Sequence, residues 1–388
     1  MKTIWRNRND EREAAKDELF APTPTGSRWQ RLKTTLPLAA FVYLTSTIVV
    51  MASERVYWYW AGFGVDSMLF LGGFYLIPTM AGLWALALGR ARRIHHMILA
   101  GSIFAFVVEG VLTPIIYMDG PLPLMAAMFI GWHGLVAFVG FWYLIRRWLL
   151  DRRAGLLALA SLLFGAFWGV WAVSSALGDP LGAEDIAEMG FEPVMLDPAG
   201  FAGYALMVGA LLAMSHWLIG FVWPVGWKPG RLSTRLLFVV SGLYMAVAVL
   251  LVIPWAPLKL AVMIGGTWKL MRRSNTGSST NHLEPTILDR LAGRVRLRDA
   301  SILMLIPIAA ATSYAGAWQA RESASVMEAT YWGLVATQII VGGAAFIWAW
   351  CQARRQDVPT AVAAPALDRL QSTLQDPRCS KRSRKSAP

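Results

Sequence analysis

Residues 154–177 read AGLLALASLLFGAFWGVWAVSSAL, a stretch from Ala154 to Leu177 without a single charge. A helix that crosses the hydrocarbon core of a bilayer needs about 20 predominantly apolar residues, so this stretch is long enough to span. Its flanks give it a direction. Arg146, Arg147, Arg152 and Arg153 precede it, whereas residues 178–197 carry Asp179, Glu184, Asp185, Glu188, Glu192 and Asp197 and no Lys or Arg. Cytoplasmic loops collect Lys and Arg, so the chain is expected to leave the cytoplasm along this helix.

Nine further apolar segments extend the pattern: roughly 35–53, 67–89, 97–117, 122–145, 198–222, 234–254, 256–271, 299–317 and 329–351. With 56% hydrophobic and 15% charged residues, most of the 388-residue chain is expected in lipid. The expected fold is therefore an all-α, polytopic helix bundle of about ten transmembrane helices.

The basic residues partition across those ten segments. The first 34 residues hold eight, and the four connections after segments two, four, six and eight hold three, four, three and seven. The tail from Arg354 to Lys385 holds eight more, so 33 of the 36 Lys and Arg fall on one side. Only Arg55, Lys259 and Arg321 fall on the other. Both termini are then cytoplasmic. The short segment 256–271 must cross, because otherwise the seven basic residues after it would lie outside. The same partition accounts for the net charge of +12 without nucleic acid. No nucleic-acid partner is expected; the lipid bilayer is.

Three regions follow: a charged cytoplasmic arm (1–34), a ten-span membrane domain (35–351) and a basic tail (352–388). The arm has no apolar core and no cleavage site, so no secretory signal is expected there. Multi-pass insertion in the plasma (inner) membrane is the simplest localisation. Within the membrane domain, Ile287, Leu288, Leu291 and Val295 share one helical face opposite Arg290 and Arg294, so 284–298 reads as an amphipathic helix on the inner leaflet. Val56 to Trp60 reads as an aromatic interfacial anchor just outside the first span. Gly165 and Gly169 form a small-xxx-small face suited to close helix packing, within the bundle or across a dimer seam. The sequence leaves the oligomeric state open.

An ionisable residue inside a membrane is costly and therefore a functional candidate by default. Glu109 is the clearest, in Phe106–Val107–Val108–Glu109–Gly110–Val111–Leu112–Thr113–Pro114. It lies eight residues before Tyr117, about 12 Å of helix from the outer end. His133, on the antiparallel neighbour, lies about 16 Å below Leu122, within one helical turn of the same depth. The two are within side-chain reach of each other if their helix faces match, which depth alone leaves open. Thr113 and Pro114 lie one turn beyond Glu109, and the proline leaves the Gly110 carbonyl without its helical donor. Asp119 and Asp66 are expected at the outer mouth. His216 lies about 9 Å nearer the cytoplasm than His133, which argues against a haem bridged by the two. Cys351 and Cys379 have no disulfide or metal-site spacing. No cofactor and no metal is expected.

A polytopic chain with a buried Glu beside a proline-interrupted helix reads as a secondary transporter of a small or lipid-like solute, coupled to protons through that Glu. An intramembrane enzyme acting on a polyprenyl or terpenoid lipid is the alternative, with Glu109 as general acid. A non-catalytic subunit or assembly factor is a third reading. Whether the chain is an enzyme stays open at this point.

Overall fold

The computed structural model describes residues 28–57, 72–117, 121–178, 195–224, 227, 255–276 and 284–356, together with scattered positions between 234 and 246. No strand occurs among them, and the chain is an all-α helical membrane bundle.

Among the described residues, seven helices are long and apolar enough to cross a membrane: Thr35–Val56, Ile94–Leu112, Leu122–Leu150, Ala154–Gly178, Pro198–Phe221, Leu297–Gln319 and Ala324–Arg355. Of the other expected crossings, Leu76–Leu88 is a shorter apolar helix, and Ala256–Thr276 is helical but more polar, with Arg273 in its last turn. Residues 234–254 lie mostly outside the described residues. The described residues thus account for seven of the expected crossings and do not confirm the count of ten.

The principal α-helices are α1 (Arg28–Ala52), α2 (Glu54–Tyr57), α3 (Leu76–Leu88), α4 (Ile94–Val107), α5 (Leu122–Phe129), α6 (Arg146–Leu150), α7 (Ala154–Gly178), α8 (Pro198–Leu218), α9 (Ala256–Thr276), α10 (Ile287–Arg290), α11 (Leu297–Ala300), α12 (Leu305–Gln319) and α13 (Ala324–Gln356). Two stretches wind as π-helix. Val108–Leu112 continues α4, and Ile130–Ile145 joins α5 to α6. Local sequence explains several ends. Asp197 caps α8 by accepting from the Gly200 amide at 2.7 Å, with Pro198 in the first turn. Thr113 is extended (φ −125°, ψ 102°) because a residue before proline is pushed out of the helical region. The span carrying Glu109 therefore stops at Leu112 and restarts as a 3₁₀ turn, Pro114–Tyr117. Proline ends this helix where a bend was expected.

Ile94–Leu112 is the central strut, 94% buried within the protein, whereas only 22% of Ala324–Arg355 is shielded. Glycines let the strut's neighbours close on it. A Cβ on Gly101 would sit 2.8 Å from the Gly134 carbonyl oxygen, and one on Gly134 would sit 3.0 Å from that of Gly101. These two helices touch backbone to backbone, as small residues permit in membranes. The Gly165/Gly169 face is likewise spent inside the chain. Cβ atoms there would strike the carbonyls of Ile306 and Ala310, so it is the α7–α12 seam, not a surface for a second copy.

The segment 284–298 departs from expectation. Only one turn, α10, is helical before Leu297, capped by Thr286 with Asp289. Ile287, Leu288, Leu291 and Val295 are buried against the bundle. The Ile287 amide donates to the Ala91 carbonyl at 2.7 Å, and Trp223 Nε1 donates to the Leu288 carbonyl at 3.1 Å. A protein groove supplies both apolar burial and backbone hydrogen bonds, and a lipid surface supplies only the first.

Candidate functional site

Glu109 sits in the π-helical turn of the central strut, 6% exposed. π-turns add a residue to a helix and re-aim its side chains, and they concentrate at functional sites. His133 lies in the second π-helical stretch, 3% exposed, next to the Gly101–Gly134 contact. The close backbone approach brings the two side chains together, with His133 Nε2 2.7 Å from Glu109 Oε1. The two helix faces that depth alone left open do match here.

A third helix completes the group. The first span does not end before Glu54 and Arg55. After a single turn residue, α2 carries both into the bundle, and Arg55 is fully buried rather than lying in an outer connection. The Tyr204 hydroxyl ties this turn down by donating to the Arg55 carbonyl at 2.8 Å. Glu54 Oε1 then lies 3.8 Å from His133 Nε2. One oxygen of each carboxylate and the imidazole nitrogen all fall within 4.8 Å of one another.

Hydroxyls hold both carboxylates. Thr113 Oγ1 donates to Glu109 Oε2 at 2.9 Å, and the Tyr75 hydroxyl, at the N-cap of α3, donates to Glu54 Oε1. The rings of Phe129 and Tyr75 flank the imidazole, with centroids 6.2 Å and 6.4 Å away. The Gly110 carbonyl, freed by Pro114, accepts from the Tyr117 hydroxyl at 3.4 Å. A neighbouring phenol thus takes up the acceptor that the proline exposed. The five side chains Thr113, Glu109, His133, Glu54 and Tyr75 form one continuous polar chain. It runs from the buried interior to Glu54, whose side chain is 18% exposed.

The other sequence candidates fare differently. Asp66 and Asp119 lie outside the described residues. His216 is fully buried but takes no part in the group. It stands by Arg146, which donates to its carbonyl from Nη1 at 3.1 Å, and its two ring nitrogens have no hydrogen-bond partner among the described residues. His95 and His96 are buried rather than interfacial, with His96 Nε2 2.8 Å from Ser274 Oγ.

Sequence reading missed Glu54 and Tyr75. The available signal was faint: Glu54 directly follows a 20-residue uncharged run, Thr34 to Ser53. That is close enough for one extra turn to bring it inside. No family model matches the chain, and no curated protein or solved structure matches it either.

Proposed function

We propose that this membrane protein is a secondary transporter of a small or lipid-like solute, with the Glu54–Glu109–His133 centre as the site where a coupling cation is loaded. The observation that carries this reading is the side-chain relay across three helices, placed where apolar surroundings penalise net charge. Two carboxylates facing one imidazole, with the fully buried Arg55 next in sequence to Glu54, form a group whose net charge changes each time it takes up or releases a proton or another cation. Glu54, the least buried member, is the entry point, and Glu109 is the inner acceptor. The π-helical turns beneath Glu109 and His133 are the places where backbone hydrogen bonding can re-register as the centre fills and empties.

Ten crossings, cytoplasmic termini and residence in the plasma membrane belong to the same proposal, supported by the distribution of Lys and Arg. A reporter fused within 178–197 is expected outside the cell; cytoplasmic exposure of that loop rejects the topology.

The transport reading is tested in proteoliposomes given an inward proton gradient and a pooled metabolite and lipid extract, with solute uptake read by mass spectrometry. At least one solute should accumulate in a gradient-dependent way and stop doing so in Glu109→Gln. Uptake no greater than in empty liposomes, or unchanged in Glu109→Gln, rejects it. The enzyme reading is favoured by one feature, the aromatic walls that Phe129 and Tyr75 raise around His133. Turnover of an added polyprenyl lipid without net uptake would select it.

A further inference from the structure

We infer that Glu54, Glu109 and His133 form a binding site for a first-row divalent transition-metal ion such as Zn²⁺ or Mn²⁺. The inference does not depend on the transport reading. It begins with convergence. Three ligand-type atoms from three separate helices lie within 4.8 Å of one another, far from one another in sequence. An ion bonded to three N/O ligands at about 2.0–2.2 Å spaces them roughly 3.3 Å apart. His133 Nε2 to Glu54 Oε1, at 3.8 Å, is close to that spacing. His133 Nε2 to Glu109 Oε1, at 2.7 Å, is a hydrogen bond that opens by about half an ångström when a metal ion replaces the shared proton.

The second observation is the shell around these atoms. Metal-ligating carboxylates are themselves held by hydrogen bonds, which fix their direction. Here Thr113 Oγ1 donates to Glu109 and the Tyr75 hydroxyl donates to Glu54, so each carboxylate has its own positioning hydroxyl. His133 Nδ1 has no partner among the described residues. The ring is therefore held by what its Nε2 faces, and Nε2 faces both carboxylates. With one proton on Nδ1 and a second shared between Nε2 and Glu109 Oε1, ligation sends the shared proton to solvent and leaves the imidazole neutral, so ion binding releases a proton.

The third observation is charge. Two carboxylates offset the charge of a divalent ion at a centre whose His133 and Glu109 are only 3% and 6% exposed, and the fully buried Arg55, next in sequence to Glu54, offsets one carboxylate when no ion is bound. The donor set chooses among cations. One imidazole with two carboxylates suits Zn²⁺, Fe²⁺ or Mn²⁺, whereas Ca²⁺ takes six to eight oxygens and Mg²⁺ keeps most of its water. Three protein ligands leave a further position for water or a solute oxygen, the arrangement of sites that act on what they bind.

The test uses the full-length chain in detergent, stripped with chelator and titrated separately with Zn²⁺, Mn²⁺ and Co²⁺ against a chromophoric competitor. One ion per chain is expected, and Co²⁺ should show visible bands of N/O ligation without thiolate charge transfer. Glu109→Gln and His133→Ala should each lower Zn²⁺ affinity at least 100-fold, with loss of the Co²⁺ bands. Thr113→Val leaves the three ligands in place and should fold; it should lose about tenfold in affinity, the scale expected for an outer-shell partner. Wild-type protein that binds none of the three ions overturns the site. So does unchanged affinity in both folded ligand variants, or in Thr113→Val if the ligand variants aggregate. Because binding is read on purified protein, failure of the transport assay leaves this result standing.

Discussion

Two of the buried charges among the described residues, Arg146 and Glu109, are satisfied in opposite ways. Arg146 is fully buried, and its guanidinium donates to three backbone carbonyls: Nε to Leu291 at 3.0 Å, Nη1 to His216 at 3.1 Å and Nη2 to Gly293 at 2.8 Å. Trp223 lies under it, 4.3 Å from ring centroid to the guanidinium carbon. Every hydrogen-bond partner is a backbone carbonyl, so the clasp can only hold or break. At Glu109 the partners are side chains, each able to rotate, exchange a proton or give way to an ion. Guanidinium geometry suits the first task, since a planar fork serves several fixed acceptors at once. Carboxylate and imidazole suit the second. The difference teaches where to look for function: a buried charge satisfied by backbone is a joint, and one satisfied by other titratable side chains is a centre that can change state.

The comparison can be broken most severely at the backbone contact that builds the acidic centre. Gly101→Leu adds a side chain where even a Cβ meets the Gly134 carbonyl at 2.8 Å. The two π-bearing helices must separate, and the expected result is loss of folded protein by size-exclusion chromatography, with metal binding and transport lost together. A monodisperse, active Gly101→Leu protein would mean that the helix contact does not set the site.

Arg146→Ala comes next. It orphans two buried carbonyls and a part-buried third that now share one guanidinium, and unsatisfied buried polar groups cost about 1–3 kcal/mol each, so a loss of about 2 kcal/mol or more is expected in detergent unfolding. Arg146→Lys should rescue only part of it, because an ammonium lacks the fork. Protein that survives either change should keep wild-type Zn²⁺ affinity. A loss of affinity equal to that of Glu109→Gln would merge the two centres into one and end the distinction.

Glu109→Gln should show the reverse profile. A Gln keeps the length of the side chain and can still bond Thr113 and His133, so stability should change by no more than about 1 kcal/mol. Gradient-driven uptake should nevertheless fall at least tenfold. Equal losses of stability and uptake would make Glu109 a second joint. Thr113→Val should be the mildest, about 1 kcal/mol for one hydrogen bond, with uptake reduced but present. Full uptake in that variant would remove the hydroxyl from the centre's machinery.

Much of this molecule was legible beforehand, and the limits have identifiable causes. The apolar runs identified the spanning helices because length and hydropathy are local properties. Glu109 and His133 could be placed at similar depth because a tight hairpin ties helical depth to residue count, but whether their faces meet was decided by packing. Glu54 could not. Whether a charge two positions past an apolar run falls inside or outside depends on whether the helix continues, and here α2 continues it only after a turn residue, with Tyr204 fastening it from another helix. Residues 287–295 show the same limit. Their helical face was correctly apolar, but periodicity does not say whether lipid or protein covers it, and Arg146 and Trp223 decided for protein.

By itself the sequence determined the all-α membrane class and the proline interruption one turn beyond Glu109, because hydrophobic length and the steric demand of proline act within one segment. Only the tertiary structure decided which charges share a site. The Gly101–Gly134 contact, the π-winding at Val108–Leu112 and the inward turn of Glu54 arise between segments, where packing sets the spacing and chain order carries no record of it.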